Sequence, residues 1–322
     1  MNNTYKRDDF ANATEVRWCP GCGDYAILAA LQRVLPELGL PPEQHVFVSG
    51  IGCAGRLPYY MNAYGFHTIH GRATAVATGL KAMREDLTVW VITGDGDALS
   101  IGGNHLIHCL RRNVNVNILL FNNQVYGLTK GQFSPTSQKG QVTKTSPQGV
   151  SNEPINPLML ALAAGAGFVA RAVDKDPNHL ASVLKKAYEH PGCSFVEIYQ
   201  DCNIFNNGAF DAFALKANRA DKTLQLEEGQ PLLFGLDKDK ALTLQGDDLH
   251  LAARDEKTAA IHDPANLMAA MRLARLHFPE YPVPLGVYYQ QPKACFNLCK
   301  PISKTTADLH DLFRAKASWQ QS

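Results

Sequence analysis

Two short turns in this chain carry the oxygen ligands that a hard cation uses. The first is Gly94-Asp95-Gly96-Asp97 and the second is Asn122-Asn123, and each follows a short apolar run rich in β-branched residues, 88–93 and 116–121. Glycines let a backbone approach a phosphate closely, and amides at the start of a helix favour an anion. Asp95 and Asp97 would repel a bare diphosphate there, so a cation between carboxylate and phosphate resolves the conflict. Mg²⁺ takes oxygen ligands octahedrally, from one or two carboxylates with amide or carbonyl oxygens, phosphate and water. Asp95 and Asn123, at neighbouring strand ends, are suited to supply two of them. A second chemistry is written in sulfur. Cys19 and Cys22 form a C-x-x-C pair, Cys53 lies in Gly50-Ile51-Gly52-Cys53-Ala54-Gly55, and Cys202 lies in Asp201-Cys202-Asn203. Four thiolates suit an iron–sulfur cluster or a Zn²⁺ ion. The C-x-x-C alone also fits a thioredoxin-like dithiol, but the preceding DDFANATEVR is too polar for the buried strand which that motif follows. A zinc knuckle would show a second close pair, and Cys53 and Cys202 are distant in sequence. Cys295 and Cys299, with three residues between them, remain alternative ligands. Cys109 and Cys193 read as core or surface thiols.

The elements that must position these turns follow from periodicity. An amphipathic stretch between 88–93 and 116–121 makes a buried parallel βαβ unit, which opens a ligand crevice beyond the carboxyl ends of its strands. Asp24 is placed to cap a helix with Ile27, Leu28, Leu31, Val34 and Leu35 on one face. Residues 45–49 read as a strand leading into the Gly50–Gly55 turn. Residues 71–84 are small and apolar at helical spacing, and 165–173, 178–190 and 194–200 read as turn and strand, helix, and strand. The expected fold class is α/β, a mostly parallel sheet with helices on both faces, over residues 1–210. Residues 1–18 read as a polar arm packing on another surface. The loop from 127 to 154 is long and polar, as functional lids are. From about 211 the alternation stops. Residues 231–236 and 240–244 suggest a hairpin, Asp263-Pro264 a helix start, and 211–322 an extension covering a sheet edge or a partner.

With 31 basic and 30 acidic residues and no basic block, the chain offers no electrostatic footprint for nucleic acid. The apolar window 158–170 falls short of the ~20 residues of a membrane span. The start, MNNTYKRDDF, lacks the apolar core of a signal peptide. These features lead to the expectation of a soluble, cytoplasmic protein. Eight cysteines in such a chain point to ligands or core thiols more than to disulfides.

The motifs also carry a family resemblance. GDG followed at a distance by NN resembles the thiamine-diphosphate motif, which implies Mg²⁺ held by Asp95, Asn123 and the Val125 carbonyl. It further implies cofactor contacts at Gly94, Gly96, Asp97, Gly127 and Leu128. WCPGCG at 18–23, SGIGCAGRLPYY at 49–60, HGRATAVATGLK at 70–81, TGDGDALSIGGNH at 93–105, NNQVYGLTKGQFSPTS at 122–137 and DCNIFN at 201–206 together resemble the β subunit of 2-oxoacid:ferredoxin oxidoreductases. That resemblance implies one [4Fe–4S] cluster on Cys19, Cys22, Cys53 and Cys202, and thiamine diphosphate contacts at Ile51, Gly52, Cys53, Ala54 and His70. Read without it, His70 is a satisfied core histidine and Lys130 a solvated loop lysine; with it, Lys130 and Leu128 stand beside the substrate. The family often has Pro-Cys where this chain has Asp201-Cys202, a change that touches cluster tuning rather than cluster binding. The implied reaction is CoA-dependent oxidative decarboxylation of a 2-oxo acid with electrons passed to ferredoxin, or the reverse. The YGLTKGQFSPTS loop is most similar to members using 2-oxoglutarate, with pyruvate or a broad 2-oxo acid range next. A non-redox thiamine decarboxylase with structural zinc is the further alternative. No Glu stands in a motif fit to activate the cofactor, so no catalytic residue is assigned to this chain. An obligate α subunit is expected to supply that glutamate and the coenzyme A site, in an αβ or (αβ)₂ assembly.

Overall fold

The alternation of apolar runs and amphipathic stretches folds, in a computed structural model that describes residues 5–296, into a layered α/β structure. In chain order the first half comprises α1 (Asp24–Val34), β1 (His45–Ser49), β2 (Tyr64–His67), α2 (Ala73–Met83), β3 (Thr88–Gly94), α3 (Gly103–Arg112) and β4 (Asn117–Asn122). It continues with α4 (Pro157–Ala163), β5 (Phe168–Val173), α5 (Pro177–Glu189) and β6 (Ser194–Tyr199). The remainder holds α6 (Asp211–Ala214), α7 (Lys216–Lys222), β7 (Thr223–Leu226), β8 (Leu233–Phe234), β9 (Lys240–Gln245), β10 (Asp248–Ala253), α8 (Leu267–Ala274) and β11 (Val283–Gln290).

Eight strands form one sheet in the order β2-β1-β3-β4-β6-β5-β11-β7. Its pairs are parallel except β11 against β5. Strands buried on both sides read as near-continuous apolar runs, and the period of two sorts their side chains between two cores. Val89 and Val91 of β3 pack with α2, α3, α4 and α8 on one face. Trp90 and Ile92 pack with α1 and α5 on the other. Helices therefore cover both faces. Cys109 and Cys193 are buried in the first of these cores.

Several details differ from the sequence reading. Asp24 is the first residue of α1 rather than its cap; Gly23 holds the cap position with no side chain, and Asp24 is buried. The arm packs on its own chain, where Phe10 is fully buried and its carbonyl accepts from the Asn62 amide at 2.9 Å. The edge strand β2 was not legible, because all four of its residues are exposed and carry no burial pattern. Residues 231–245 do pair as an antiparallel hairpin, β8 with β9, to which β10 adds. The helix expected from Asp263 begins at Leu267. Asp263 Oδ1 accepts from the Ala265 amide in a local turn, and Asn266 takes the cap by accepting from Ala269 N at 3.0 Å. Beyond residue 211, β7 and β11 join the main sheet itself. Cys299 lies outside the described residues.

One charged pair sits inside the sheet. Arg171 on β5 and Glu197 on β6 are direct register partners, 4% and 0% exposed. Arg171 Nε donates to Glu197 Oε2 at 2.7 Å and Arg171 Nη1 to the Tyr288 hydroxyl at 3.0 Å, while Asn122 Nδ2 donates to Glu197 Oε1 at 2.7 Å. Removing one member leaves the other buried and uncompensated. Glu197→Ala is therefore expected to lower unfolding free energy by about 3–5 kcal/mol. The double change Arg171→Met with Glu197→Leu should restore most of that loss in denaturant titrations. A double variant as unstable as the single one would show that the pair is needed for more than charge balance.

Candidate active site

Three strand ends and one helix start build a single cleft at the carboxyl edge of the sheet. β1 runs into the turn holding Ile51, Gly52, Cys53 and Ala54; β3 runs into Gly94-Asp95-Gly96-Asp97; β4 runs into Asn123, Val125, Gly127 and Leu128. With His70, all of these line one cleft of about 630 Å³ counting its mouth. The cleft also takes in Asp24, Tyr126, Thr129 and Gln200, which spacing alone did not single out. Lys130 is exposed and is not among the lining residues; it occupies the tight turn beside Leu128 and Thr129 with a left-handed backbone, φ 76°.

Asp97 ties these turns together. Its Oδ1 accepts from the Ile51 amide at 3.2 Å and the Gly71 amide at 2.8 Å, and its Oδ2 accepts from the Thr93 hydroxyl at 2.6 Å. His70 Nε2 stands 3.4 Å from the same carboxylate. The close approach explains Gly50, where a Cβ would lie 1.8 Å from Asp97 Oδ2.

Asp95 is held differently. It is 2% exposed, and its Oδ2 accepts from the hydroxyls of Ser134 and Thr136, both at 2.5 Å. Among the described residues no side-chain cation pairs with it. Burial pushes its carboxyl up to about 6 against the pull of the two hydroxyls. Asn123 is oriented by two bonds, its Oδ1 accepting from Val125 N at 3.2 Å and its Nδ2 donating to Gln200 Oε1 at 2.9 Å. A buried carboxylate without a countercharge, beside an oriented amide oxygen and a backbone carbonyl, has the donor chemistry of a Mg²⁺ site.

The thiols converge on the same cleft. Cys53 is in its wall, and a Cβ on Gly127 would sit 3.5 Å from Cys202 Sγ and 3.8 Å from Cys53 Sγ, which places both sulfurs beside that backbone. Trp18 Nε1 donates to the Cys53 carbonyl at 2.7 Å, and Gln200 Nε2 donates to Cys22 Sγ at 3.3 Å. Cys19 is exposed beside them. Burial, then the charge of Asp24, pushes Cys22 well up, and the same order of causes pushes Cys53 up to about 12, with Cys202 and Cys19 adding to it. Burial also raises Cys202, opposed by the amides of Phe205, Ile204 and Asn206. Asp24, whose carboxylate oxygens are buried without a well-formed hydrogen bond, is raised to about 7 by burial; Cys22 opposes the rise and Asp174 adds to it. Among the described residues no three His, Cys, Asp or Glu side chains are gathered tightly enough to hold a single metal ion. Cys295 does not line the cleft.

Ser134 and Thr136 lie in a polar loop where nothing in the sequence separates them from their neighbours. Gln200 carried a signal only through its place at a strand end beside Asp201-Cys202.

Comparison with known proteins agrees with this geometry. Residues 50–198 match the family model of the thiamine pyrophosphate enzyme C-terminal TPP-binding domain. The chain is 55% identical over 277 residues to the 2-oxoglutarate oxidoreductase subunit KorB of Mycobacterium tuberculosis, covering 84% of this chain and 74% of that one. It is 48% identical over 190 residues to 2-oxoacid:ferredoxin oxidoreductase 1 subunit beta of Aeropyrum pernix, where the match spans 59% of this chain and 60% of the relative. Among solved structures, 2-oxoglutarate:ferredoxin oxidoreductase from Magnetococcus marinus with 2-oxoglutarate, coenzyme A and succinyl-CoA bound superposes with a TM-score of 0.75. The two are 34% identical, and the superposition covers 98% of this chain and 94% of that one.

The raised Asp95 carboxyl fixes the sign of a stability effect. Its folded value, about 6, lies above the ordinary aspartate value of 3.8, so it favours folding when protonated and that contribution is lost as pH rises through this window. In cation-free protein, Asp95→Asn should therefore melt above the wild type at pH 8 and close to it at pH 4. A variant less stable than wild type at pH 8 would contradict the reading of Asp95 as an uncompensated buried charge.

Proposed function

Since the chain belongs to the family of 2-oxoacid:ferredoxin oxidoreductase β subunits, we propose that it works with an α subunit on 2-oxoglutarate, forming succinyl-CoA and CO₂ and passing electrons to a ferredoxin, or running the reverse. The observation that carries this is the meeting of Asp95, Asn123 and Val125 with the Cys53 turn in one cleft. The substrate rests on the mycobacterial relative's name and on the ligands of the Magnetococcus structure.

Thiamine diphosphate bound here would supply the electron sink for loss of CO₂. Asp95, Asn123 and the Val125 carbonyl would hold its Mg²⁺, and the uncompensated Asp95 fits that role. Gly94, Gly96, Asp97, Gly127, Leu128, Ile51, Gly52, Ala54 and His70 would shape the rest of the cofactor site. Cys19, Cys22, Cys53 and Cys202 would hold one [4Fe–4S] cluster, whose ligands stand farther apart than those of a single ion. Burial raises the Cys22, Cys53 and Cys202 thiols, so a metal there would have to displace their protons. Leu128 in the wall and Lys130 at the adjacent turn would meet the substrate, the ammonium pairing with a carboxylate.

No glutamate is among the described residues lining the cleft. An α subunit is proposed to bring the activating carboxylate across the mouth and to bind coenzyme A, in an αβ or (αβ)₂ enzyme. Residues 1–210 would carry the cofactors and 211–296 would extend the same body, the rest of the proposed 211–322 extension lying outside the described residues. No described helix is long and apolar enough to cross a membrane, and the cytoplasm is the proposed compartment.

Two measurements test this. The purified αβ complex, assayed with CoA and viologen, is expected to turn over 2-oxoglutarate faster than pyruvate or a branched 2-oxo acid; equal or faster turnover of pyruvate would replace the substrate assignment. The same complex should contain about four iron and four sulfide per β chain, and Cys202→Ser should lose them. An active complex that holds zinc and no sulfide would sink the redox assignment.

A further inference from the structure

We propose that Gln200 is a positioning residue that joins the cation clamp to the cysteine ligand set, holding the Asn123 amide with its oxygen and the Cys22 sulfur with its nitrogen. The inference rests on the cofactor assignments proposed above. Gln200 follows β6, is 1% exposed and lines the cleft. Its Nε2 donates to the Asp201 carbonyl at 2.7 Å and to Cys22 Sγ at 3.3 Å, which accounts for both N–H groups of one amide. Its Oε1 must then face the other way, and there it accepts from Asn123 Nδ2 at 2.9 Å. That bond in turn orients Asn123. With Nδ2 committed to Gln200 and Oδ1 accepting from the Val125 amide, the Asn123 oxygen is the atom left for a cation. Each amide orientation is thus fixed by a partner that can only donate or only accept.

Two consequences follow for this chain. An N–H aimed at a ligating sulfur favours the more negative, reduced state of whatever that sulfur holds, because hydrogen bonds to the sulfurs set cluster potentials. A cation drawing on Asn123 also acts on the far end of Gln200, so occupancy of the clamp and the charge state of the cysteine site are linked, and the linkage is reciprocal. A glutamine that only filled space would produce neither effect.

The test uses the αβ complex, with the potential of the cysteine-bound cluster followed by electron paramagnetic resonance during redox titration. Gln200→Leu removes all three side-chain bonds with little change in volume. At a fixed poise its reduced-to-oxidised ratio should fall about tenfold, ~59 mV for a one-electron couple. The change in that ratio which thiamine diphosphate with Mg²⁺ produces in the wild type should shrink or vanish. Thiamine diphosphate affinity, read by tryptophan quenching, should fall about tenfold in Gln200→Leu, the scale of a lost outer-shell partner. It should be largely kept in Gln200→Glu, which retains the acceptor for Asn123 and loses the donor to Cys22 and to the Asp201 carbonyl. Potentials and cofactor response equal to wild type in Gln200→Leu overturn the proposal; where that variant does not assemble, an unchanged potential in Gln200→Glu does so. A wild-type complex with no cluster signal at all would instead overturn the cofactor assignment, so the two failures are distinct.

Discussion

The Asp97 carboxylate accepts from the Ile51 amide, the Gly71 amide and the Thr93 hydroxyl, so the end of β1, the entry to α2 and the end of β3 cannot move independently. Everything else in the cleft depends on that constraint. The Ile51–Ala54 turn places Cys53, the 70–71 turn places His70, and β3 places Asp95, all against the loop that follows β4. Gly50 permits the contact, since any Cβ there would collide with the carboxylate. A buried carboxylate engaged by fixed donors is stable at modest cost, and it makes the site rigid before any ligand arrives.

The molecule treats its buried charges in two ways. Inside the sheet, Glu197 is matched by Arg171 at 2.7 Å, with Tyr288 and Asn122 completing the set. At the cleft, Asp95 and Asp24 have no side-chain cation among the described residues, and burial raises both carboxyls and the neighbouring thiols. Unpaired acidic groups crowded at one edge are costly in the protein alone, a cost that the proposed cations would offset. The two regions touch through Asn122, whose Oδ1 lies 2.9 Å from the Thr136 hydroxyl that also serves Asp95.

Oxygen and sulfur chemistries share this cleft because the parallel sheet sends β1, β3, β4 and β6 to one edge. Cys53, Asp95, Asn123 and Cys202 each follow one of those strands. Distant parts of the chain are therefore brought within the length of one glutamine side chain, and Gln200 spans that gap from Asn123 to Cys22.

Much of this was legible from residue types. Apolar runs alternating with amphipathic stretches identified β1, β3, β4, β5 and β6 and the helices between them, because parallel strands buried on both faces are mostly apolar. GDGD and NN, each after a strand, pointed to Asp95 and Asn123 as candidate oxygen ligands, whereas the set Cys19, Cys22, Cys53 and Cys202 came from the family resemblance and not from spacing. What the sequence could not decide depends on side chains from separate elements meeting. Asp24 read as a helix cap and is a buried wall residue; Ser134 and Thr136 read as loop and are the partners of Asp95. The strands β7 and β11 read as part of an extension and enter the main sheet. Local pattern reports which face of an element is apolar, and so determined the layers and the candidate ligands. Only the tertiary structure decides which polar atom ends opposite which, because a hydrogen bond depends on angstrom-scale positions that no periodicity encodes.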